Sequence, residues 1–434
     1  MGQLLIDSAK YIIMIAMVVF TFSAYHSVFT KKTDPDDSTA EKLQLVCVFV
    51  VQFIGNIAVA LHTSDGRILS LYFLQFFFVL VYNAIFLKAY KSSSMVLVNI
   101  VSMLLTIGII MLERINPELV FKHCIIIAVF VVISLIIPPA VKLLESSDVI
   151  AVLCAIVGIL ALTVILVFAN YERGAKLSIP VGGISFQASE FVKITFVLMC
   201  AGLFKDKNKK GNIALGTLFM IVHIAILVLS RDLGMSLILG SAYLFMLFMA
   251  VDTFAILALG VIAVGIGSFF AYRFFAHVKT RVDVWLNPWQ DITGDGYQIA
   301  QSLFAIGTGG WMGSGFYKGI PETIPIVTKD FIFAAIAEEL GGITAFCLIL
   351  IYLAFVIKVM LMAMGAASEY IKLVLVGFGC IFAVQVILNI GGVIKFIPST
   401  GITLPFISYG GSSIASLLIM FGLIQGFGNL KRIK

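Results

Sequence analysis

Charge is scarce in this chain. Asp, Glu, Lys and Arg make up 12% of its 434 residues, about half the ~25% of a soluble globular domain. Hydrophobic residues make up 61%, and the mean hydropathy is +1.10. Metal-binding patterns are missing as well. His26, His62, His123, His223 and His277 are scattered with no HExxH spacing. Cys47, Cys124, Cys154, Cys200, Cys347 and Cys380 all sit in apolar runs with no CxxC. Neither a histidine metal site, a thiolate site nor a disulfide framework is suggested. There is no GxxxxGK[ST], which argues against an ATP-driven pump, and no alternating segments of a membrane barrel. The net charge of +6 requires no nucleic-acid partner. In a membrane protein it reports cytoplasmic anchoring lysines.

What the chain does have is hydrocarbon in lengths of about 20 residues, enough to cross a bilayer. Candidate spans lie near 11–29, 43–62, 68–89, 94–112, 121–141, 148–169, 186–204, 213–230, 234–251, 253–276, 331–357, 370–394 and 411–429. An all-α polytopic membrane protein is expected, because helices satisfy their own backbone groups in lipid. The lysines of KDKNKK (205–210), the terminal KRIK, and Lys31, Lys32 and Lys42 fall on one face of this arrangement. The positive-inside rule makes that face cytoplasmic. The C-terminus is then inside, while the N-terminus and the segment 279–330 are outside. A cleaved signal peptide in residues 1–25 would strand the lysines of 30–42 on the outer side and is not expected. Ile6 stands where a myristoylation start needs Ser or Thr.

The segment 279–330 stands apart. It carries Asp283, Asp291 and Asp295 before its last residue, Asp330, together with every Trp in the chain. Loops longer than about 15 residues are functional or disordered as a rule, and aromatics with glycine-bracketed turns argue against disorder. Its Trp residues suit an outer aromatic belt. Asp330 opens the run FIFAAIAEELGG and reads either as a helix cap, worth ~1 kcal/mol, or as a catalytic carboxylate. The outer setting, the long loop and the nearby Lys318 and Lys329 favour catalysis. The run GTGGWMGSG (307–315) lacks the register of a dinucleotide site, and its glycines are expected to make tight turns.

Other polar groups interrupt apolar sequence. Segment 169–193, with its Pro and glycines, reads as an outer loop or interfacial stretch before a helix beginning near Gln187. Gln187, Glu190 and Lys193 recur every three residues, making one drifting helical stripe. They read as an ion pair fixing a helix end or as the wall of an internal cavity. Buried charges cost ~2.5–3.5 kcal/mol each on insertion scales, which tilts the choice to the cavity. One of Glu338 and Glu339 is expected to face inward and pair with another helix. Asp232 in SRDLG is a helix cap or part of the outer cavity, and Gln301 and Ser302 are further candidates for a supporting role.

Three strings together, GDGYQIAQSLFAIGTGGWMGSG, KDFIFAAIAEELG and NIGGVIKFIPSTGITLPFISYGGSS, resemble the SEDS family (shape, elongation, division and sporulation; RodA-, FtsW- and SpoVE-like proteins). GAK, FQASEFVK and DLG fall in the family's order too. The resemblance covers about 94–434. It implies a ten-helix core over that range, preceded by three extra helices in 1–93, with the site on the outer segment 279–330. It further implies peptidoglycan glycosyltransferase activity polymerising lipid II at the outer face of the bacterial cytoplasmic membrane, in cell-shape, division or sporulation wall synthesis. It places the essential carboxylate at Asp330 and supporting residues at Gln187, Glu190 and Lys193. Three positions depart from the pattern: Ala188 replaces a Pro, Ser185 a basic residue, and Lys329 a Thr.

Chemically, a diphosphate leaves without protonation, so one carboxylate suffices as general base on an acceptor hydroxyl, with cations stabilising the departing charge. Asp330 takes the base role; Lys193 either holds Asp330 or contacts the diphosphate. No cofactor is predicted, and a divalent cation is left open. Expected partners are lipid II, membrane lipids in grooves between helices, and a class B penicillin-binding protein whose single helix packs on the late core helices. The rival readings are a lipid-linked precursor flippase, which would use the same charges as a path, and a scaffold for other wall-synthesis proteins.

Overall fold

The computed structural model describes residues 2–30, 38–63, 65–90, 93–144, 147–170, 175–181 and 184–430. Among them, α1 (Gly2–Phe29), α2 (Thr39–Thr63) and α3 (Gly66–Ala89) come first. Then follow α4 (Met95–Ile115), α5 (Pro117–Ala140), α6 (Asp148–Phe168), α7 (Ala188–Phe204), α8 (Lys210–Leu229), α9 (Leu233–Val251) and α10 (Ala255–Phe274). Two shorter helices, α11 (Ala276–Leu286) and α12 (Tyr297–Gly309), precede α13 (Ile332–Met364), α14 (Glu369–Val393) and α15 (Gly411–Asn429).

Each apolar run expected to span is a helix. Among the described residues, twelve helices are long and apolar enough to cross a membrane. The exception among the expected spans is α7, which has 17 residues and carries Glu190 and Lys193 in its first turns. Before α7 lies a short antiparallel hairpin, β1 (Ile179–Val181) with β2 (Ile184–Phe186), pairing Ile179 with Phe186. The segment 279–330, read as a long loop, is partly helical: α11 reaches into it and α12 lies within it.

The centre of the bundle is α4, buried at every residue from Val96 to Arg114, with Glu113 and Arg114 at its end held by partners from other helices. Helices α2, α5 and α13 pack around it, α14 packs on α7, α9 and α13, and α15 lies on α5 and α7. Gly108 of α4 has no room for a side chain, because a Cβ would meet Ile407 O at 2.6 Å; the connection 397–410 therefore runs hard against the central helix. At the other extreme, α10 buries only Gly260 and exposes Phe269 and Phe274, a face suited to lipid.

The hairpin, the turn at 230–232, and the segments 279–330 and 397–410 gather at one end of the bundle. At the opposite end Asp148 bonds Lys205 (2.9 Å) and Lys209 (3.4 Å), tying KDKNKK to the start of α6. Lys31, Lys32 and the KRIK tail lie outside the described residues. Within α13, Gly341 breaks the helix with φ 88° and ψ 166°.

Candidate active site

Asp330 sits one residue ahead of the N-cap position of α13, which Phe331 occupies. The helix-cap reading of Asp330 therefore gives way to a carboxylate at the mouth of the helix. Its backbone is fixed from α14: Asn389 Nδ2 donates to Asp330 O at 2.9 Å and to Ile402 O at 2.6 Å. One amide thus locks the start of α13 to the connection 397–410. The next carbonyl back, Lys329 O, accepts from Ser408 Oγ, and Tyr409 N–H donates to Thr328 O at 2.8 Å.

The positive charge facing Asp330 comes from α11. A Cβ added to Gly401 would lie 3.6 Å from Arg281 Nη2 and 3.7 Å from Asp330 Oδ2, so both groups border the same glycine. Surrounding protein pushes the Arg281 guanidinium below its usual pKa, while the charges of Asp330 and Asp232 pull it back up. Arg281 is nonetheless exposed and Asp330 half-buried, so solvent reaches both groups. His277, one turn earlier on α11, is held below the usual imidazole range by burial and by the charges of Arg281 and Arg231. The two arginines, Arg231 and Arg281, thus bear on a His277 ring whose neutral form they favour, and Arg281 also feels the charges of Asp330 and Asp232.

Asp232 caps α9: its Oδ1 accepts from Met235 N–H at 3.1 Å. Its Oδ2 accepts from Ser189 Oγ at 2.9 Å, and Ser189 accepts from Gln187 Nε2 at 3.1 Å. The cap reading of Asp232 holds, and the same carboxylate also bonds Ser189 at the start of α7. Burial raises its pKa, outweighing the Met235 and Ser189 bonds.

Gln187 is the N-cap of α7 without a side-chain cap bond; its N–H goes instead to Ser412 Oγ of α15 at 3.0 Å. Deeper along the stripe, Lys193 Nζ lies 2.6 Å from Glu190 Oε2 and 3.0 Å from Gln385 Oε1 of α14. Gln385 Nε2 donates to Thr403 O at 3.2 Å, and Ser416 Oγ to Glu190 Oε2 at 3.2 Å. Lys193 thus pins α7 to α14 and, through Gln385, to the connection 397–410.

The remaining candidates lie elsewhere. Ser302 is buried on α12 and donates to Val393 O at 3.0 Å, fastening α12 to the end of α14; Gln301 is half-buried beside it. Lys318 pairs with Asp7 of α1 at 2.7 Å, away from Asp330. Glu338 and Glu339 anchor the glycine-rich run. Ser314 N–H donates to Glu338 O at 2.8 Å and Gly315 N–H to Glu339 O at 3.0 Å. Glu339 Oε1 also takes Arg114 Nη2 of α4 at 2.8 Å, the inward pairing expected of this glutamate pair. The glycines turn as expected, with positive φ at Gly310, Gly313 and Gly315.

Strain concentrates at this end of the bundle. Arg231, Tyr317, Ile326, Lys395 and Phe406 are non-glycine residues with φ between 60° and 63°, conformations that persist only where neighbours over-determine them. Arg231, Arg281, His277 and Asn389 are not among the candidates that the sequence singles out. Each acts on Asp330 or its neighbours through tertiary packing, and only the cluster of His277, Lys279 and Arg281 ahead of the Trp residues hints at two of them. Among the described residues, no group of three or more His, Cys, Asp or Glu is arranged to hold a metal ion.

A polytopic helical membrane protein with a solvent-reached carboxylate and an arginine meeting over one glycine at one end is the class this arrangement defines. Residues 93–430 match the model of the FtsW/RodA/SpoVE family, described as cell cycle protein, and the chain belongs to that family. Peptidoglycan glycosyltransferase RodA of Mycobacterium tuberculosis (strain ATCC 25618 / H37Rv) is 33% identical over 291 residues, 63% of this chain and 62% of that protein. Stage V sporulation protein E of Bacillus subtilis is 35% identical over 280 residues, 60% of this chain and 73% of that one. The chain thus spans 62% of the length of the mycobacterial relative. Among solved structures, a chain of a peptidoglycan synthase complex that coordinates polymerization and crosslinking superposes with a TM-score of 0.66 at 23% identity, covering 79% of this chain and 99% of that one. Rod shape determining protein RodA of Thermus thermophilus gives 0.57 at 22% identity, covering 77% and 96%. The likeness to these structures establishes the fold.

Proposed function

We propose that this protein is a peptidoglycan glycosyltransferase that polymerises lipid II at the outer face of the cytoplasmic membrane, with Asp330 as general base. One observation carries the reading: the Asp330 carboxylate and the Arg281 guanidinium border the same glycine, Gly401, where solvent reaches both. The acceptor hydroxyl gives its proton to Asp330 as its oxygen bonds the anomeric carbon. The bond from that carbon to the diphosphate breaks, and the leaving group departs with both electrons. Arg281, with Arg231, stabilises the charge gathering on it, a role the sequence alone offers to Lys193. Lys193 instead orders this end of the bundle through Glu190 and Gln385. The mycobacterial relative, a peptidoglycan glycosyltransferase, supports the substrate class. The synthase complex, in which polymerization and crosslinking are coordinated, supports a crosslinking transpeptidase as partner, docking on the late helices. The gathering of polar residues at one end of the bundle favours surface chemistry over a flippase path, which would place them near mid-membrane.

The test is purified protein in detergent with lipid II, with divalent cations varied and products resolved as glycan chains. Wild type is expected to polymerise. Asp330→Ala is expected to fold and to make none. Undiminished polymer from that variant ends the assignment.

A further inference from the structure

Helices α1–α3 precede residue 93, where the family match begins, yet they are not a detached appendage. α1 packs along α13 and α2 along α4, and Tyr25 of α1 donates to Leu350 O of α13 at 3.2 Å. At the Asp330 end, α1 and α2 reach one short stretch of the outer segment. Lys10 Nζ donates to Gly313 O at 2.6 Å. Asp7 Oδ1 pairs with Lys318 Nζ at 2.7 Å. The His62 ring, at the end of α2, lies on the Tyr317 ring with centroids 3.7 Å apart and planes 8° from parallel.

The same stretch is held from the core. Arg114 of α4 lies 4.2 Å from the centroid of the Tyr317 ring and bonds Glu339 and Glu322, while Tyr317 N–H donates to Glu339 Oε1 at 3.1 Å. Tyr317 itself has φ 62°, a conformation a tyrosine holds only under constraint. An exposed pair such as Asp7–Lys318 is weak alone. A stacked ring, a lysine on a backbone carbonyl and an ion pair within residues 313–318 make a grip at three points. Beyond Glu322 the chain runs directly to Asp330.

We propose that α1 and α2 are a built-in positioning element: Asp7, Lys10 and His62 hold residues 313–318 and thereby set the placement of Asp330 against Arg281. These three are positioning residues, remote from any reacting atom. The inference rests on the catalytic reading of Asp330, but its structural half is measurable without it.

The experiment uses the full chain in detergent, with hydrogen exchange read on peptides covering 310–320 and 370–390, and turnover of lipid II read as kcat and KM. His62→Ala, Asp7→Lys and Lys318→Asp are each expected to speed exchange across 313–318 and leave 370–390, within α14, unchanged. Because a misplacement of about 1 Å far from the chemistry can cost 10²-fold, kcat is expected to fall between about 10- and 10²-fold with KM held. His62→Phe, which keeps the stack, and the double swap Asp7→Lys/Lys318→Asp are expected to recover both readouts. Unchanged exchange in His62→Ala and Asp7→Lys overturns the grip. Faster exchange with unchanged kcat overturns the positioning role. Absence of polymer from the wild type would count against the glycosyltransferase reading alone, with the exchange arm still judging the grip.

Discussion

Lys193 and Glu190 stand one helical turn apart on α7 with nitrogen and oxygen 2.6 Å from each other, their side chains 1% and 7% exposed. Attraction at that depth offsets a desolvation cost of several kcal/mol per ion only because Gln385 and Ser416 complete the bonding. Removing one partner strands the other. Lys193→Met is therefore expected to destabilise by about 3–5 kcal/mol, and the double change Lys193→Met/Glu190→Gln to recover most of it. Thermal unfolding in detergent measures both; equal midpoints for single and double variants would show that the pair is not coupled.

Arg281 gives a second prediction. Losing one preorganised donor to developing charge costs about 10²–10³ in turnover. Arg281→Ala is expected to lose that much polymerisation rate, and Arg281→Lys, which keeps the charge but not the planar fork, to fall between. Initial rates at saturating lipid II decide it, and a rate within twofold of wild type in Arg281→Ala sends the diphosphate role elsewhere.

Asp232 carries a pH signature. Burial foremost, with help from the Glu190 charge, raises its carboxyl above the ordinary range. The folded state then binds a proton that the unfolded state has released, so this contribution to stability is complete below about pH 4 and declines as pH rises through the raised value. Asp232→Asn keeps a good cap for α9 and removes the titration. The difference between the wild-type and variant midpoints, followed upward from about pH 4, is expected to change in the variant's favour as pH rises. A constant difference refutes the assignment.

Gly341 is the fourth test. A Cβ there would meet Gly313 N at 2.4 Å, on top of a φ of 88°. Gly341→Ala is expected to cost more than the ~1–3 kcal/mol of backbone strain alone and to release the run 310–315. Limited proteolysis in that run, together with the unfolding midpoint, reads the effect.

The helices are legible in the sequence because hydrophobic length is a local property: the run 370–394 is α14, Glu369–Val393, within a residue. The stripe of Gln187, Glu190 and Lys193 is legible for the same reason, since spacing within one helix fixes which side chains share a face. Arg281 is not legible. Nothing around KTRVDVW distinguishes the arginine that meets Asp330 from Lys279, and only the folding of α11 back toward Gly401 selects it. Lys318 misleads in the opposite sense, close to Asp330 in the chain yet paired with Asp7. The helix α12 is hidden by its own glycines, which suggest turns although Gly307 and Gly309 lie inside the helix.

The break in α13 leaves peptide groups that its own helix cannot serve, and the run 310–315 serves them: Gly342 N–H donates to Gly310 O at 2.8 Å and Ile343 N–H to Trp311 O at 3.2 Å. That run precedes α13 in the chain, so during synthesis the seal leaves the ribosome before the seam it closes. Neither piece can settle in the bilayer with its amides satisfied until the other arrives. Burial of the break in α13 and closure of the run 310–315 are thereby coupled, and a variant that disturbs the break is expected to leave that run open.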